Sequence, residues 1–186
     1  MKKTVKILAY AILFIICAMF IFRCCMAADK SKFSKLEATD ALRDAYADGV
    51  SEMFSVKIER EMSEDGYFSA YGFYYNSEVG EVQLAVRWND SVYDYTDMEK
   101  GHEFSFYLLN ETTGEKYPMT AVGSSKFSFY NYRKLTADGV SVENDEQLTV
   151  IMELRDGYES RQIIKYDEQP FKNYSPSKSF IKKLAE

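Results

Sequence analysis

The pattern of hydrophobic and polar positions divides this chain into two unlike parts. Lys2, Lys3 and Lys6 are followed by sixteen consecutive uncharged and mostly apolar residues, from Ile7 to Phe22. From residue 54 onward, hydrophobic residues instead alternate with polar ones in short runs. A continuous apolar run behind basic residues is typical of a membrane-targeting helix, whereas alternation is typical of β-strands. The pattern therefore predicts an N-terminal signal-anchor followed by a β-rich domain.

The apolar run lies between two classes of targeting segment in length. Cleavable signals have an apolar core of about 7–15 residues, whereas a spanning helix needs roughly 17–25. Arg23 can extend its charge to the headgroups, so that the helix continues through Cys24 to Ala28 and reaches spanning length. We predict an uncleaved transmembrane anchor over residues 1–28. A signal cleaved after Ala27 or Ala28 and a buried helix of a cytosolic protein are the alternatives.

The charges beside the apolar run are nearly balanced. Lysines precede it, but Arg23, Lys30, Lys32 and Lys35 follow it. We expect a cytoplasmic N-terminus because long domains translocate largely regardless of their charge, whereas a short basic N-terminus is hard to export. The prediction is a single-pass protein of the cell membrane that contacts the lipid bilayer through residues 7–22 and carries its C-terminal domain outside the cytoplasm.

Residues 29–52 read as a polar juxtamembrane stalk and a short helix. Thr39 or Asp40 can cap a helix that runs through Ala47, and Gly49 can end it. Residues 168–186 form a locally basic tail with two prolines, which we expect to be frayed or loosely packed.

Residues 53–167 predict an antiparallel β-domain. Apolar residues alternate cleanly in 82–88, 104–108 and 148–154, and turn residues separate the runs. The spacing predicts seven or eight strands, with a break at Gly123-Ser124-Ser125 between strands at 117–122 and 127–132. Since no amphipathic helices lie between the strands, a parallel sheet is excluded. We predict a mainly β fold, an antiparallel immunoglobulin-like β-sandwich.

The chain is unusually rich in aromatic residues, with 15 Tyr and 13 Phe. Aromatic residues occupy both faces of the predicted strands at 67–75 and 127–132, so one face can fill the core and the other can present tyrosines. We predict a recognition surface that contains Tyr71, Tyr75, Tyr130 and Tyr132, because tyrosine is favoured at such surfaces. The alternative is that loops, the tail or the short helix cover this second face.

Charge narrows the range of partners. Residues 29–186 contain all 29 acidic residues but 19 of the 23 basic ones, which gives a net charge of −10. A field of this sign repels nucleic acid, so we expect no nucleic-acid partner, and it is compatible with a cationic one. The three cysteines lie in or beside the apolar run, so the outer domain has no internal disulfide.

No catalytic or metal signature is recognisable. His102 is the one histidine, and neither a nucleophile-elbow sequence nor an outer cysteine accompanies it. Zinc needs histidine or cysteine ligands that are missing here. The acidic stretches 89–99 and 143–146 lack the EF-hand spacing for calcium. We expect no catalytic residue, no cofactor and no metal, and calcium binding by these acidic loops is the alternative that the sequence leaves open.

Two segments carry a family resemblance. SEDGYFSAYGFYY (63–75) and FYNYRKLTADGVSVENDEQLTV (129–150), behind a lysine-led single span, resemble uncharacterised surface proteins of Gram-positive bacteria. The resemblance implies an extracytoplasmic domain and transfers no site residue. The leading functional hypothesis is a non-enzymatic module that binds a partner protein or a cell-envelope component. The alternatives are a carbohydrate-binding domain that uses exposed tyrosines and an envelope enzyme.

Overall fold

The chain divides into two compact units, residues 1–32 and 33–186, in a computed structural model. The model describes residues 2–49, 53–56, 58, 62–92, 104–127, 129–143, 146–154, 156–164 and 172–185. The first unit consists of most of helix α1, Lys2–Phe33. Within it, Thr4–Cys25 is a 22-residue segment of mean hydropathy 2.6 whose residues are not buried. This helix is long and apolar enough to span a membrane, and it continues past Arg23 as predicted.

The second unit is mainly β, as predicted. Two short helices accompany nine strands among the described residues, and the strands occupy the part of the chain where hydrophobic and polar residues alternate. The elements in chain order are α2 (Asp40–Ala47), β1 (Phe54–Val56), β2 (Phe68–Asn76), β3 (Glu81–Asn89), β4 (Phe104–Asn110), β5 (Lys116–Phe127), β6 (Tyr130–Ala137), β7 (Leu148–Leu154), β8 (Glu159–Ile164), β9 (Lys172–Asn173) and α3 (Lys178–Leu184).

The strands form one sheet with antiparallel neighbours, in the order β8-β7-β4-β5-β6-β3-β2-β1-β9. Strand β5 connects its two halves, because residues 116–119 pair with β4 whereas residues 120–127 pair with β6. A bulge between Ala121 and Gly123 marks the change of partner. Bulges bend a strand and increase its twist, which lets a single strand serve two differently oriented halves.

The sheet curls so that β8 approaches β2, which gives a half-barrel. The side chain of Gln162 on β8 accepts a hydrogen bond from the Ala70 backbone N–H at 2.7 Å and donates one to the Ala70 carbonyl at 3.1 Å. The backbone N–H of Glu64 donates to the Arg161 carbonyl at 2.9 Å. The antiparallel β prediction is therefore confirmed, whereas the immunoglobulin-like sandwich is not.

The inner face of the curled sheet contains the main core. Trp88 is 1% exposed, and its ring meets those of Phe104 and Phe106 at centroid distances of 5.2 and 5.9 Å. The alternating positions of each strand supply the rest of this cluster, which includes Phe68, Val82, Leu84, Val86, Leu108, Leu135, Leu148, Val150, Met152 and Ile164.

A second hydrophobic cluster joins α2 and α3 with Leu36 and Met53. Thr39 caps α2 and Ser177 caps α3, each by accepting a backbone N–H three residues later. Leu42 of α2 packs in the same cluster as Phe180 and Leu184 of α3. The helix predicted to end at Ala47 is thus confirmed, but the tail is neither frayed nor loose at 172–184, since two apolar side chains of α3 bury themselves against α2.

Two further predictions were wrong. Gly123-Ser124-Ser125 does not separate two strands, because these residues continue β5 opposite Lys134, Arg133 and Tyr132 of β6. Residues 33–39 are not a free stalk, since Phe33 and Leu36 are buried. The small polar residues at 123–125 are typical of a turn, but pairing with β6 keeps them in a strand. The two apolar residues of the supposed stalk are widely spaced in the sequence, and they are buried because a sheet face lies next to them.

Candidate functional site

The segment that follows the apolar helix lies across the outer face of the sheet. We call residues 33–39 the strap. Its first ring, Phe33, stacks on Tyr132 of β6 with centroids 5.8 Å apart and planes 17° apart. Tyr71 and Ala85 complete this small cluster. The strap thus covers the face that the sequence predicted to be a tyrosine surface.

Polar contacts fasten the middle of the strap to β3. The Glu37 backbone N–H donates to Oε1 of Gln83 at 2.9 Å, and Nε2 of Gln83 donates back to the Glu37 carbonyl at 2.8 Å. The hydroxyl of Thr39 donates to Oε2 of Glu81 at 2.6 Å. Tyr74 of β2 donates to the Ser34 carbonyl at 2.9 Å. Because hydrogen bonds are directional and these four are spread along the strap, they hold it in one register.

A glycine on β2 lets the strap approach the sheet. Gly72 has a φ of +61°, and a Cβ at this position would lie 2.9 Å from the Ser34 Cα atom and 3.0 Å from its carbonyl oxygen. These are contacts that no relaxed side chain tolerates. Glycine at position 72 therefore permits two things: the positive φ of the β2 backbone and the close approach of the strap to that strand.

A cleft of about 450 Å³ opens at the end of the strap, between its last residues, the start of α2 and the outer face of β3, β5 and β6. Two other cavities of the domain are smaller, at about 50 and 150 Å³. Four carboxylates line it, those of Glu37, Asp40, Glu81 and Asp138. This acidic cleft beside the strap is the candidate binding site of the domain.

Glu81 lies at the base of this arrangement and is 3% exposed. Burial raises its pKa above the ordinary range, while the hydrogen bonds from Thr39 and Gln83 act in the opposite direction. Asp138 also raises this pKa by repulsion, and Lys134 lowers it. A positively charged group in the cleft would stabilise the ionised carboxylate of Glu81.

Lys134 is a buried lysine beneath the strap, with 1% of its surface exposed. It lies between two small residues in register, Ala85 on β3 and Gly123 on β5, which leave room for its long side chain. Its Nζ lies 5.3 Å from the ring centre of Tyr74 and has no hydrogen-bond partner among the described residues. Burial lowers the pKa of Lys134 to about 8, although Glu37 and Glu81 act to raise it.

Tyr74 contacts three segments on the outer face of the sheet: the strap, β6 and the segment before α3. Besides its bond to Ser34 and its contact with Lys134, its ring packs edge-on against Tyr174 with centroids 4.9 Å apart. Burial and the neighbouring Tyr174 raise the pKa of Tyr74 to about 12. Its hydroxyl therefore remains a neutral hydrogen-bond donor throughout the physiological range.

The four tyrosines proposed from the sequence do not form one exposed surface. Tyr132 is completely buried and Tyr71 is 6% exposed, both under the strap. Tyr75 points into the main core and is 4% exposed. Only Tyr130 is partly exposed, beside the exposed ring of Phe129 and beneath the guanidinium of Arg87. Parity did not separate the two faces of β2, because a bulge between Tyr71 and Tyr74 shifts the register and leaves Tyr71 and Tyr75 on opposite faces. It also did not reveal that the strap covers the outer face.

No group of three or more histidine, cysteine, aspartate or glutamate side chains is arranged to hold a metal ion in the part of the chain that the structure describes. The carboxylates of the cleft are thus too dispersed for a metal centre. His102 lies outside the described residues, as do positions 93–99 and 144–145 of the two acidic stretches.

Sequence reasoning did not identify Glu81, Lys134 or Asp138 as neighbours. A faint signal was present, because Glu81 and Gln83 alternate along β3 as Lys134 and Thr136 do along β6, and the register that pairs Gln83 with Thr136 places both pairs on one face. The pairing of β3 with β6, which are far apart in the sequence, could not be inferred from parity alone.

Comparison with family models, with curated proteins and with solved structures finds no match. The interpretation of the site therefore depends on its own geometry.

Proposed function

We propose that this chain is a single-pass membrane protein whose β-domain is a non-enzymatic interaction module, with the strap cleft as its binding site. The observation that carries this proposal is the cleft itself. It is a cavity of about 450 Å³ with an acidic rim, built by the segment that directly follows the membrane helix.

The chemistry of the cleft favours a cationic group of a partner protein. Asp40 and Asp138 are exposed, while Glu81 is buried below them with a raised pKa. Bringing a lysine or arginine side chain among these carboxylates reduces their mutual repulsion, and guanidinium groups in particular bind carboxylates in a bidentate manner. The acidic net charge of the outer part would also speed the approach of such a partner.

The location follows from the N-terminal helix. Its length and hydropathy support insertion in the cell membrane, and we propose a cytoplasmic N-terminus with the domain outside, in line with the resemblance to Gram-positive surface proteins. Protease added to intact cells is then expected to digest residues 33–185.

The immunoglobulin-like fold and the carbohydrate-binding function, both expected from the sequence, differ in how well the structure supports them. The two halves of the sheet, joined through β5, are compatible with an immunoglobulin-like arrangement, since strands that change sheets make the corners of some sandwiches. The carbohydrate-binding alternative has lost its basis, because a stacking platform needs exposed rings and three of its four tyrosines are buried.

Site-specific photo-crosslinking tests the binding site. Val122 lines the cleft and is 47% exposed, so a photoreactive residue there can reach a bound partner. We expect irradiation of cells that carry the full-length chain to give a discrete adduct from position 122. Neutralising the rim with Asp40→Asn and Asp138→Asn should abolish that adduct.

Two matched controls make the result specific. Glu64→Gln with Asp156→Asn removes two other exposed charges and should leave the adduct unchanged. A photoreactive residue at Tyr158, which is 45% exposed at another part of the domain, should not give it. Equal adducts from positions 122 and 158, or an adduct that survives neutralisation of the rim, would show that the cleft is not the binding site.

A further inference from the structure

The last helix is locally basic although the domain as a whole is acidic. Helix α3, residues 178–184, contains three lysines and no acidic residue, whereas all 29 acidic residues of the chain lie elsewhere. Phe180 and Leu184 face the domain, while Lys178, Lys182 and Lys183 are exposed. The helix thus presents a basic surface to the solvent.

The fold places this helix beside the strap. Leu36 of the strap packs in one hydrophobic cluster with Phe180 and Leu184 of α3. Tyr74 contacts the strap and the segment before α3, since it donates to the Ser34 carbonyl and packs against Tyr174. Lys35, between Ser34 and Leu36, is exposed. We call Lys35, Lys178, Lys182 and Lys183 the basic surface.

The strap also starts close to the apolar helix along the chain. Helix α1 is continuous from Cys25 to Phe33, and eight residues of α-helix rise about 12 Å. The attraction of a lysine to an anionic membrane falls off over a Debye length of about 8 Å at physiological salt. Lys35 of the basic surface therefore follows the apolar segment by a short stretch of chain, ten residues after Cys25.

We propose that the basic surface docks on the anionic lipid headgroups of the membrane that α1 spans, and so fixes the orientation of the domain. The proposal rests on the membrane anchoring given above. Anionic headgroups attract the four lysines and repel the remaining, strongly acidic surface, so only one orientation of the domain is favourable. Lipid docking is separate from occupation of the strap cleft, which involves different residues.

Amine labelling of the full-length chain in liposomes tests the docking. Vesicles of phosphatidylcholine alone are compared with vesicles that also contain phosphatidylserine, and the labelling of each lysine is followed by mass spectrometry. A surface potential of about −30 mV raises the local proton concentration and should slow labelling of the basic surface about threefold in the anionic vesicles. The difference should vanish in 1 M salt, where the Debye length is about 3 Å. Lys116, which pairs with Glu153 and Glu159, is the internal control and should label equally in both.

Charge variants separate lipid docking from a structural role of α3. With Lys178→Glu, Lys182→Glu and Lys183→Glu, labelling of Lys35 should no longer depend on the lipid. The matched variant with arginine at the same three positions keeps the charge and should keep the dependence. If the chain remains in the vesicles after carbonate extraction but its lysines label equally in both lipids, docking is wrong and the anchor stands. Release of the chain by carbonate would overturn the anchor and the docking together.

Discussion

The two faces of strands β3 and β6 are both buried, but by different chemistry. On the inner face, Leu84, Trp88 and Leu135 pack against apolar residues of the other strands. On the outer face, Glu81 and Gln83 meet the strap through directed hydrogen bonds, and Lys134 lies beneath it. The inner face is covered by the curl of the sheet itself, whereas the outer face is covered by a segment from another part of the chain.

This difference indicates what each face contributes. Apolar burial is non-directional and supplies most of the free energy of folding. Buried polar groups add little net stability, but they cost free energy when left unsatisfied, so they discriminate strongly between correct and incorrect positions of the strap. The inner face therefore stabilises the sheet, and the outer face positions the strap that forms the candidate site.

The largest expected effect comes from the inner face. Trp88→Ala should destabilise the domain by about 3–5 kcal/mol, because it leaves a cavity next to Phe104 and Phe106. Guanidinium unfolding of the full-length chain in a mild detergent, followed by circular dichroism, measures it. Val122→Ala, at an exposed position, is the control and should have almost no effect. A small loss for Trp88→Ala would mean that the curled sheet is not closed around this ring.

An intermediate effect is expected where the strap crosses β2. Gly72→Ala should cost about 2–3 kcal/mol, since the methyl group adds a clash with Ser34 to the strain of about 1–2 kcal/mol for a positive φ. Gly114→Ala is the matched control, because it has a φ of +77° and nothing among the described residues within 4 Å of a new Cβ.

Hydrogen exchange distinguishes the two glycine variants. In Gly72→Ala, the amide of Glu37 should lose its protection while the amides of β7 keep theirs, because only the strap is displaced. Equal losses of stability for the two glycine variants would contradict close packing of the strap on β2.

The smallest of the three effects concerns pH and the outer face. Lys134 has a pKa of about 8 in the folded protein against an ordinary value of 10.5. Below pH 8 it is charged in both the folded and unfolded states, and the folded state bears the cost of burying that charge. Between pH 8 and 10 the unfolded chain holds more protons, so this group should raise the free energy of unfolding by about 2 kcal/mol over that range.

The variant Lys134→Met isolates this contribution. It should be more stable than the parent near pH 7 and should lack the rise, because the buried charge is gone. Tyr74 and the other ionisable groups are common to both proteins, so the difference between their pH profiles reports Lys134. Identical profiles from pH 8 to 10 would show that Lys134 is not buried as a charged group.

The sequence predicted most of the strands because their inner positions repeat with period two. Runs such as 82–88 and 148–154 were recognisable from this alternation, and α2 was recognisable from Thr39 and Gly49. It could not predict that β5 continues through Gly123, because the partner strand, rather than local preference, keeps that glycine extended. The sequence also could not predict the order of the strands in the sheet, or the curl that follows from that order.

The candidate site was predicted less well than the fold. The acidic net charge predicts cationic partners as the compatible class, and this stays a prediction that crosslinking can test. Of the four tyrosines selected for recognition, the strap buries Tyr71 and Tyr132, and the main core buries Tyr75. Phe33 and Leu36 were present in the supposed stalk, but their burial depends on a groove that only the assembled sheet offers.

By itself, the sequence determined an apolar helix long enough to span a membrane and a β-domain with one apolar face per strand, because both follow from local periodicity. Only the tertiary structure decided that the strap covers the outer face of the sheet. It also decided which carboxylates share a cleft and which lysines lie near the strap. These properties arise from contacts between segments as far apart as Leu36 and Phe180, and such contacts form only where the curled sheet brings the segments together.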